Sequence, residues 1–362
     1  MTQSPLIFLL CCLSFFVAPA QNMQSGIPPI SNFSKHDYQA ETQNWAATED
    51  ERGLMYFGNN LGLLEFDGNQ WRCFRMPNRS ILRSVSLDSL GRIFVGGQDE
   101  LGYFSADQQG SLIYHSLLEY LPEKWQNCED VWKVITTPER VFFGTQKALF
   151  LWQNNAFTVL PAASRFENYF YESGEIIVQD AELGLLQLKG DSLSAMTAAP
   201  FLSGERIAAL IALHQDTWIV ATNQSGIYRL ENGQWTTWNP SINAYVKRNR
   251  IYCGIRLRNG HIAMGTSQNG LLVLDQNGAP VKVISRQYGL QNNSILSIFE
   301  DKSENLWLGL ENGISYVEIS SPFSHINRNL GVEGTAYAAR IFEGKLFLAT
   351  NQGIFVSNWD EP

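Results

Sequence analysis

One pattern returns along almost the whole chain. A short apolar segment is followed by a polar turn, a second apolar segment that closes on Gly or Ala, a polar pair, and a Gly that opens a third apolar segment. The clearest copy runs from Ile295 to Val317. Others start at Ser84, Ile211 and Gly254. The closing residue sets the register at Gly58, Gly96, Gly144, Gln179, Ala221, Gly265, Gly309 and Ala349, 35 to 48 residues apart. The copy around Gln179 is the most degenerate. A self-similarity of forty-odd residues made of short strands is the signature of propeller blades. The segments are rich in Ile, Val, Leu, Phe, Tyr and Trp and are bounded by Gly, Asn, Asp or Gln, which is strand chemistry. No stretch keeps a helical period long enough to compete. Asp67-Gly68 and Asn232-Gly233 sit where tight outer hairpins need positive φ, each followed two or three residues later by a Trp, Trp71 and Trp235, that would cover the outer strand. A single small sheet cannot hide both faces, whereas radial stacking buries each against a neighbour and closing the ring protects the ends. The expected fold is therefore all-β, a β-propeller of four-stranded blades.

Eight repeats allow one eight-bladed ring or seven blades plus one. Ser320 to Ser324 brings in Pro322 within a small polar cluster, and Asn327 to Gly331 follows as the longest irregular stretch late in the chain, which reads as a seam. The organisation expected is a signal peptide over 1–20, a seven-bladed propeller over 21–328, and a partial blade over 329–362 that begins a second, truncated propeller. A lone partial blade exposes both faces and an edge, so the sequence is expected to stop short of a longer architecture.

The first twenty residues differ from the rest. Leu6 to Val17 is apolar apart from Ser14, and Ala18-Pro19-Ala20 has the small-x-small form that signal peptidase accepts, although no Lys or Arg precedes the run. A membrane anchor is the competing reading, but the run is shorter than the ~20 residues a spanning helix needs. Past it, the longest apolar run is Ile207 to Leu213. The mature chain has three cysteines, Cys73, Cys128 and Cys253, an odd number at wide spacing that reads as small buried apolar residues; in an oxidising compartment one pair could close. A net charge of −9, with no acidic run, repels phosphate backbones and argues against nucleic-acid binding.

Further residues carry a family resemblance: Gly26 to Ile30, Asn32-Phe33 and Asp37-Tyr38; then Gln43-Asn44-Trp45, Tyr56 to Asn59 and Gly62 to Gly68; then Glu300-Asp301 with Leu306 to Gly309, and Ser321-Pro322-Phe323. Over essentially all of 21–362 the chain resembles the two-component-regulator propeller ectodomains of Bacteroidetes sensors. It is most similar to those whose later segments carry a triple-tyrosine β-sandwich, a membrane helix and a LuxR-type or hybrid histidine-kinase output. The resemblance implies a non-catalytic periplasmic domain that senses a ligand, often a glycan, and passes a signal through the membrane. It also implies a possible homodimer through the full-length sensor. Output domains are not recognisable in this sequence, and any membrane contact would run through segments absent from it. A secreted scaffold for protein contacts is an alternative, and a propeller lyase or glycoside hydrolase another.

The residues themselves offer no catalytic centre. His36, His115, His214, His261 and His325 are far apart with no metal-ligand spacing, no phosphate-binding loop occurs, and no metal or cofactor is expected. Asp50, Asp88 and Asp301 open turns similar to an Asp-box but with different spacing, and are read as caps of their own backbone. One constellation stands out. Aligning the inner strands puts Trp45, Arg83, Trp132, Glu167, Ala208, Tyr252, Leu296 and Tyr337 in one column at the start of the channel-lining strand. The aromatic and charged members, Trp45, Arg83, Trp132, Glu167, Tyr252 and Tyr337, form the candidate ligand site at the channel mouth. Packing between blades is the other use these side chains could have.

Overall fold

Runs of four to eight β-branched and aromatic residues, each cut off by Gly, Asn or Asp, favour pairing with a neighbouring strand over helix formation. The computed structural model describes residues 26–197, 204–214 and 217–359 and is all-β, built mostly of four-stranded antiparallel sheets. The leader expected over 1–20 lies outside the described residues. The described residues divide into two compact units, one from Pro28 to His325 and one that includes Ile326 to Trp359.

In the first unit the described residues form seven four-stranded sheets. The inner strands are Asn44–Glu49, Leu82–Leu87, Lys133–Thr136, Phe166–Glu172, Ile207–His214, Ile251–Arg256 and Ile295–Glu300. Six sheets follow chain order outward. The seventh takes its outer strand from the other end of the unit: Ile30–Phe33 pairs with Ile314–Val317, Ile30 opposite Val317 and Phe33 opposite Ile314. Ser34 stops that strand by capping a short helix, Lys35–Tyr38, in a capping box with Asp37.

Each inner strand lies against the next, and Ile295–Glu300 lies against Asn44–Glu49. The apolar core is accordingly split into clusters shared by two sheets. Phe94 and Leu101 of the second sheet meet Phe143 and Phe150 of the third. Phe57 and Phe66 of the first meet Trp307 and Ile314 of the seventh. Burying a side chain of this size fully is worth roughly 1.5–3 kcal/mol, so the sheet-to-sheet contacts carry the stability of the unit.

The register residue of the repeat is small because the next sheet arrives there. A Cβ on Gly58 would lie 2.9 Å from Leu82, one on Gly144 2.5 Å from the Tyr169 ring, and one on Gly265 2.7 Å from Ile295. Gln179 breaks the pattern for a physical reason. Its side chain reaches the fifth sheet, donating to the Glu205 carbonyl at 2.6 Å and accepting from the Ile207 N–H at 2.9 Å. Polar clasping replaces close approach. Gln179→Gly would leave both groups unpaired and is expected to cost about 1–3 kcal/mol, seen as a lower urea midpoint at unchanged m-value.

The turn aspartates cap their own backbones. Asp50 accepts from the N–H of Arg52 and Leu54, Asp88 from Leu90 and Arg92, and Asp301 from Ser303 and Asn305. Trp71 covers its outer hairpin, 4.4 Å from the Phe66 ring. One expectation fails: Pro240–Asn249 is a ten-residue helix between the fifth and sixth sheets. Asn239 caps it, Pro240 presets its first turn, and Ile242 and Val246 are buried at i, i+4 spacing, too short a period to stand out against the strands.

The second unit holds a three-stranded antiparallel sheet, Ala336–Phe342, Lys345–Thr350 and Gly353–Asn358. Its first strand is exposed throughout, and Ile341, Phe342, Ile354 and Val356 all present apolar side chains to solvent. None of the helices among the described residues is long and apolar enough to cross a membrane.

Candidate functional site

The column of residues aligned from sequence coincides with a structural irregularity. In the first, second, fourth, fifth, sixth and seventh sheets the pairing of the inner strand skips one residue, and that residue is Trp45, Arg83, Glu167, Ala208, Tyr252 or Leu296. Each is a β-bulge, a device that removes one residue from the ladder and re-aims its side chain. Trp132 stands at the same place in the third sheet, immediately before its inner strand, with its N–H donated to the Gly144 carbonyl at 2.9 Å.

The bulged residues line one cavity of about 420 Å³, to which the inner strands of all seven sheets of the first unit contribute. Trp45, Arg83, Trp132, Glu167 and Tyr252 are all in its wall. Tyr337 is not. It occupies the equivalent bulge of the three-stranded sheet in the second unit, between Ala336 and Ala338, and is 73% exposed. The shared repeat gives it the register of the others without their location.

At the centre of the wall the Arg83 guanidinium lies 4.4 Å from the Trp45 ring and 4.7 Å from the Trp132 ring, which meet edge to face at 5.9 Å. Asp130 accepts from Arg83 Nε at 3.0 Å, and the Arg83 side chain is only 13% exposed. Trp45 Nε1 donates to Asn60 at 2.7 Å. Such an arginine is fixed by its carboxylate and by both ring faces, and each cation–π contact at a partly desolvated site contributes roughly 1–2 kcal/mol. Glu167 is held by Arg165. Across the cavity Arg206 lies over the Tyr252 ring at 5.3 Å; burial raises the Tyr252 hydroxyl above its ordinary range, against the pull of Arg206.

Lys133 also lines the cavity, and burial lowers its amine below the ordinary lysine range, with Cys253 and Glu172 acting in the other direction. Burial pushes the Cys253 thiol up to about 12, so it is inert as a nucleophile at neutral pH. Cys73, Cys128 and Cys253 are all free thiols. Among the described residues no cluster of His, Cys, Asp or Glu is arranged to hold a metal.

Lys133, Arg206, Asp130 and Asn60 were not singled out from the sequence. The signal for Lys133 was present. It pairs with Gly144 at the position that Ala46, Ser84, Ala209, Cys253 and Ser297 occupy opposite the small register residues of the other sheets. A long cation in a column of small side chains marks a local rule broken. Arg206 lies one residue ahead of its strand, outside any column drawn on strands alone.

Residues 289–312, which span the inner two strands of the seventh sheet, match the model of the two component regulator propeller family, so the chain carries that repeat. No curated protein sequence matches the chain. Among solved structures it is similar to an extracellular domain described as that of the hybrid two component system BT3049 of B. thetaiotaomicron, at 18% identity and a TM-score of 0.67 over 91% of this chain and 48% of that one. The corresponding domain of BT4673 from the same organism matches at 19% identity and a TM-score of 0.64, over 91% and 45%. The chain thus spans about half the length of these sensor domains. Virginiamycin B lyase from Staphylococcus aureus is also similar, at 11% identity and a TM-score of 0.60, over 80% and 97%. At these identities the likeness is one of fold, and an enzyme among the neighbours assigns no activity here.

Proposed function

We propose that the chain is the ligand-sensing propeller of a periplasmic, membrane-anchored two-component-type regulator, and that the cavity walled by Trp45, Arg83, Trp132, Glu167 and Tyr252 binds the ligand. In this reading the seven sheets between Pro28 and His325 close into a seven-bladed wheel, and the three-stranded sheet begins a second propeller. Closure is supported by the pairing of Ile30–Phe33 with Ile314–Val317. It is also supported by Lys302, which donates to Glu49 at 2.8 Å and to the Asp50 carbonyl at 2.9 Å. The sensor role is supported by the family repeat and by the sensor domains among the similar folds.

The observation that carries the binding reading is the clamped Arg83. Six bulges and Trp132 at the equivalent place turn side chains toward one space, and the three that differ most from a packing residue, Trp45, Arg83 and Trp132, converge there. Aromatic faces beside fixed hydrogen-bonding groups suit a sugar or another amphipathic small molecule. Binding without turnover fits the chemistry present, since Glu167 in the wall and Asp130 behind Arg83 are each occupied by an arginine.

A thermal-shift screen against glycans tests it. A ligand at one hundred times its dissociation constant adds roughly 2.7 kcal/mol, a shift of several degrees, and Trp45→Ala or Trp132→Ala in a folded protein is expected to abolish that shift. A shift that survives both substitutions would place binding elsewhere.

A further inference from the structure

The ligand-binding reading fixes a place, and the charges around that place say more about what enters it. Of the ionisable side chains in the wall, Arg83 is matched by Asp130 and Glu167 by Arg165. Lys133 and Arg206 have no carboxylate within ion-pair distance among the described residues. They come from the third sheet and from the segment leading into the fifth, and both line the same cavity. The chain as a whole is acidic, with a net charge of −9, so an excess of cations at this aromatic-walled cavity runs against its composition.

Lys133 keeps solvent exposure at the cavity wall, with the Glu172 carboxylate acting on it from beyond ion-pair distance, and it stands at a position where every other sheet of the unit but one manages with Ala, Ser or Cys. The exception, Asn168, uses its side chain to donate to the Ile207 carbonyl at 2.9 Å. Packing therefore gives no reason for a lysine. Arg206 keeps its guanidinium over Tyr252 with its hydrogen-bonding edge uncommitted to any carboxylate.

Resting on the ligand-binding reading, we propose that the cavity takes an anionic amphipathic ligand, its carboxylate or sulfate held between Lys133 and Arg206 and its apolar face set on Trp45 and Trp132. Both cations are placed to donate charge-assisted hydrogen bonds, and the low-dielectric aromatic wall strengthens them. Burial lowers the Lys133 amine, and an anion beside it acts in the opposite direction, favouring the charged form.

Two probes that differ only by a sulfonate test the charge: 1-anilinonaphthalene-8-sulfonate and its neutral parent, N-phenyl-1-naphthylamine. The sulfonate is expected to bind wild-type protein in a saturable, salt-weakened manner and the neutral parent about tenfold less tightly. Lys133→Met with Arg206→Gln is expected to bring the sulfonate down to the parent's affinity, with a thermal midpoint no lower than wild type to show that the fold is intact. Displacement by glucuronate against glucose 6-sulfate then separates carboxylate from sulfate. Equal affinity of the two probes for wild type, or undiminished sulfonate binding by the double variant, would overturn the proposal. If the neutral parent binds and is lost in Trp45→Ala, the binding site stands and only its charge preference falls. If neither probe responds to Trp45→Ala or Trp132→Ala, the binding reading fails with it.

Discussion

Gly309→Val is expected to destabilise the protein more than any other substitution at the register position. A Cβ at Gly309 would lie 3.1 Å from the carbonyl carbon of Asn44, closer still to its oxygen, and against Ser297 of its own sheet. Asn44 is fully buried and cannot retreat: its side chain donates to the Gly313 carbonyl at 3.0 Å and accepts from Asn59 at 2.9 Å. Backbone in the seventh sheet would thus be pushed away from backbone in the first. Overpacking typically costs about 1–3 kcal/mol, and a rigid obstacle puts this case at or above the top of that range. For a unit of this size that is roughly 6–10 °C in thermal midpoint. Gly58→Val is the matched comparison, because its nearest obstacle is the Leu82 side-chain tip at 2.9 Å, which can rotate. A smaller loss at Gly58 than at Gly309 is the expected order. A Gly309→Val protein as stable as wild type would mean that the first and seventh sheets do not bear on each other in solution, and the closed wheel would have to be given up.

The same contacts explain what was legible in the sequence. The repeat was readable because its register residue must be small wherever a neighbouring sheet comes close, and Gly96, Gly144, Gly265 and Gly309 share that constraint. Gln179 looked degenerate because it solves the same contact with hydrogen bonds, and a pattern of residue sizes has no symbol for that solution. The site column was legible for a related reason. A bulged residue has left the ladder, so its side chain escapes the alternation that governs the rest of the strand and shows as an outlier. Tyr337 shares the register but not the place, since register is a property of a repeat and location a property of the molecule. The counter-charge of Arg83 was out of reach, since Asp130 meets it across 47 positions of sequence. The helix at Pro240–Asn249 was hidden by its brevity, with a single buried face of Ile242, Val246 and Asn249.

Trp307→Ala should come next in size, for the opposite reason, because it empties the contact that Gly309 keeps tight. The Trp307 ring is 6% exposed and packs between sheets, 5.6 Å from Phe57 and 5.8 Å from Phe66 of the first, and 4.5 Å from Tyr316 of its own. Phe33, from the strand that completes the seventh sheet, stacks on it at 5.9 Å with 18° between planes. Its Nε1 donates to Asp301 at 3.2 Å, so truncation also strips a hydrogen bond from the carboxylate that organises the adjoining turn. A buried aromatic replaced by Ala costs about 3–5 kcal/mol. Trp307→Phe, which keeps most of the packing, should recover all but about 1 kcal/mol, the share of the lost hydrogen bond. The informative measurement is the pair with Phe33→Ala. If the N-terminal strand is held chiefly by docking its ring on Trp307, removing either ring already undoes that docking, and the double variant should be less destabilised than the two single losses combined, by an amount within about 0.5–3 kcal/mol. Strict additivity would mean that the backbone pairing of Ile30–Phe33 alone secures the strand, and the aromatic contact between Phe33 and Trp307 would then be a consequence of that pairing instead of its cause.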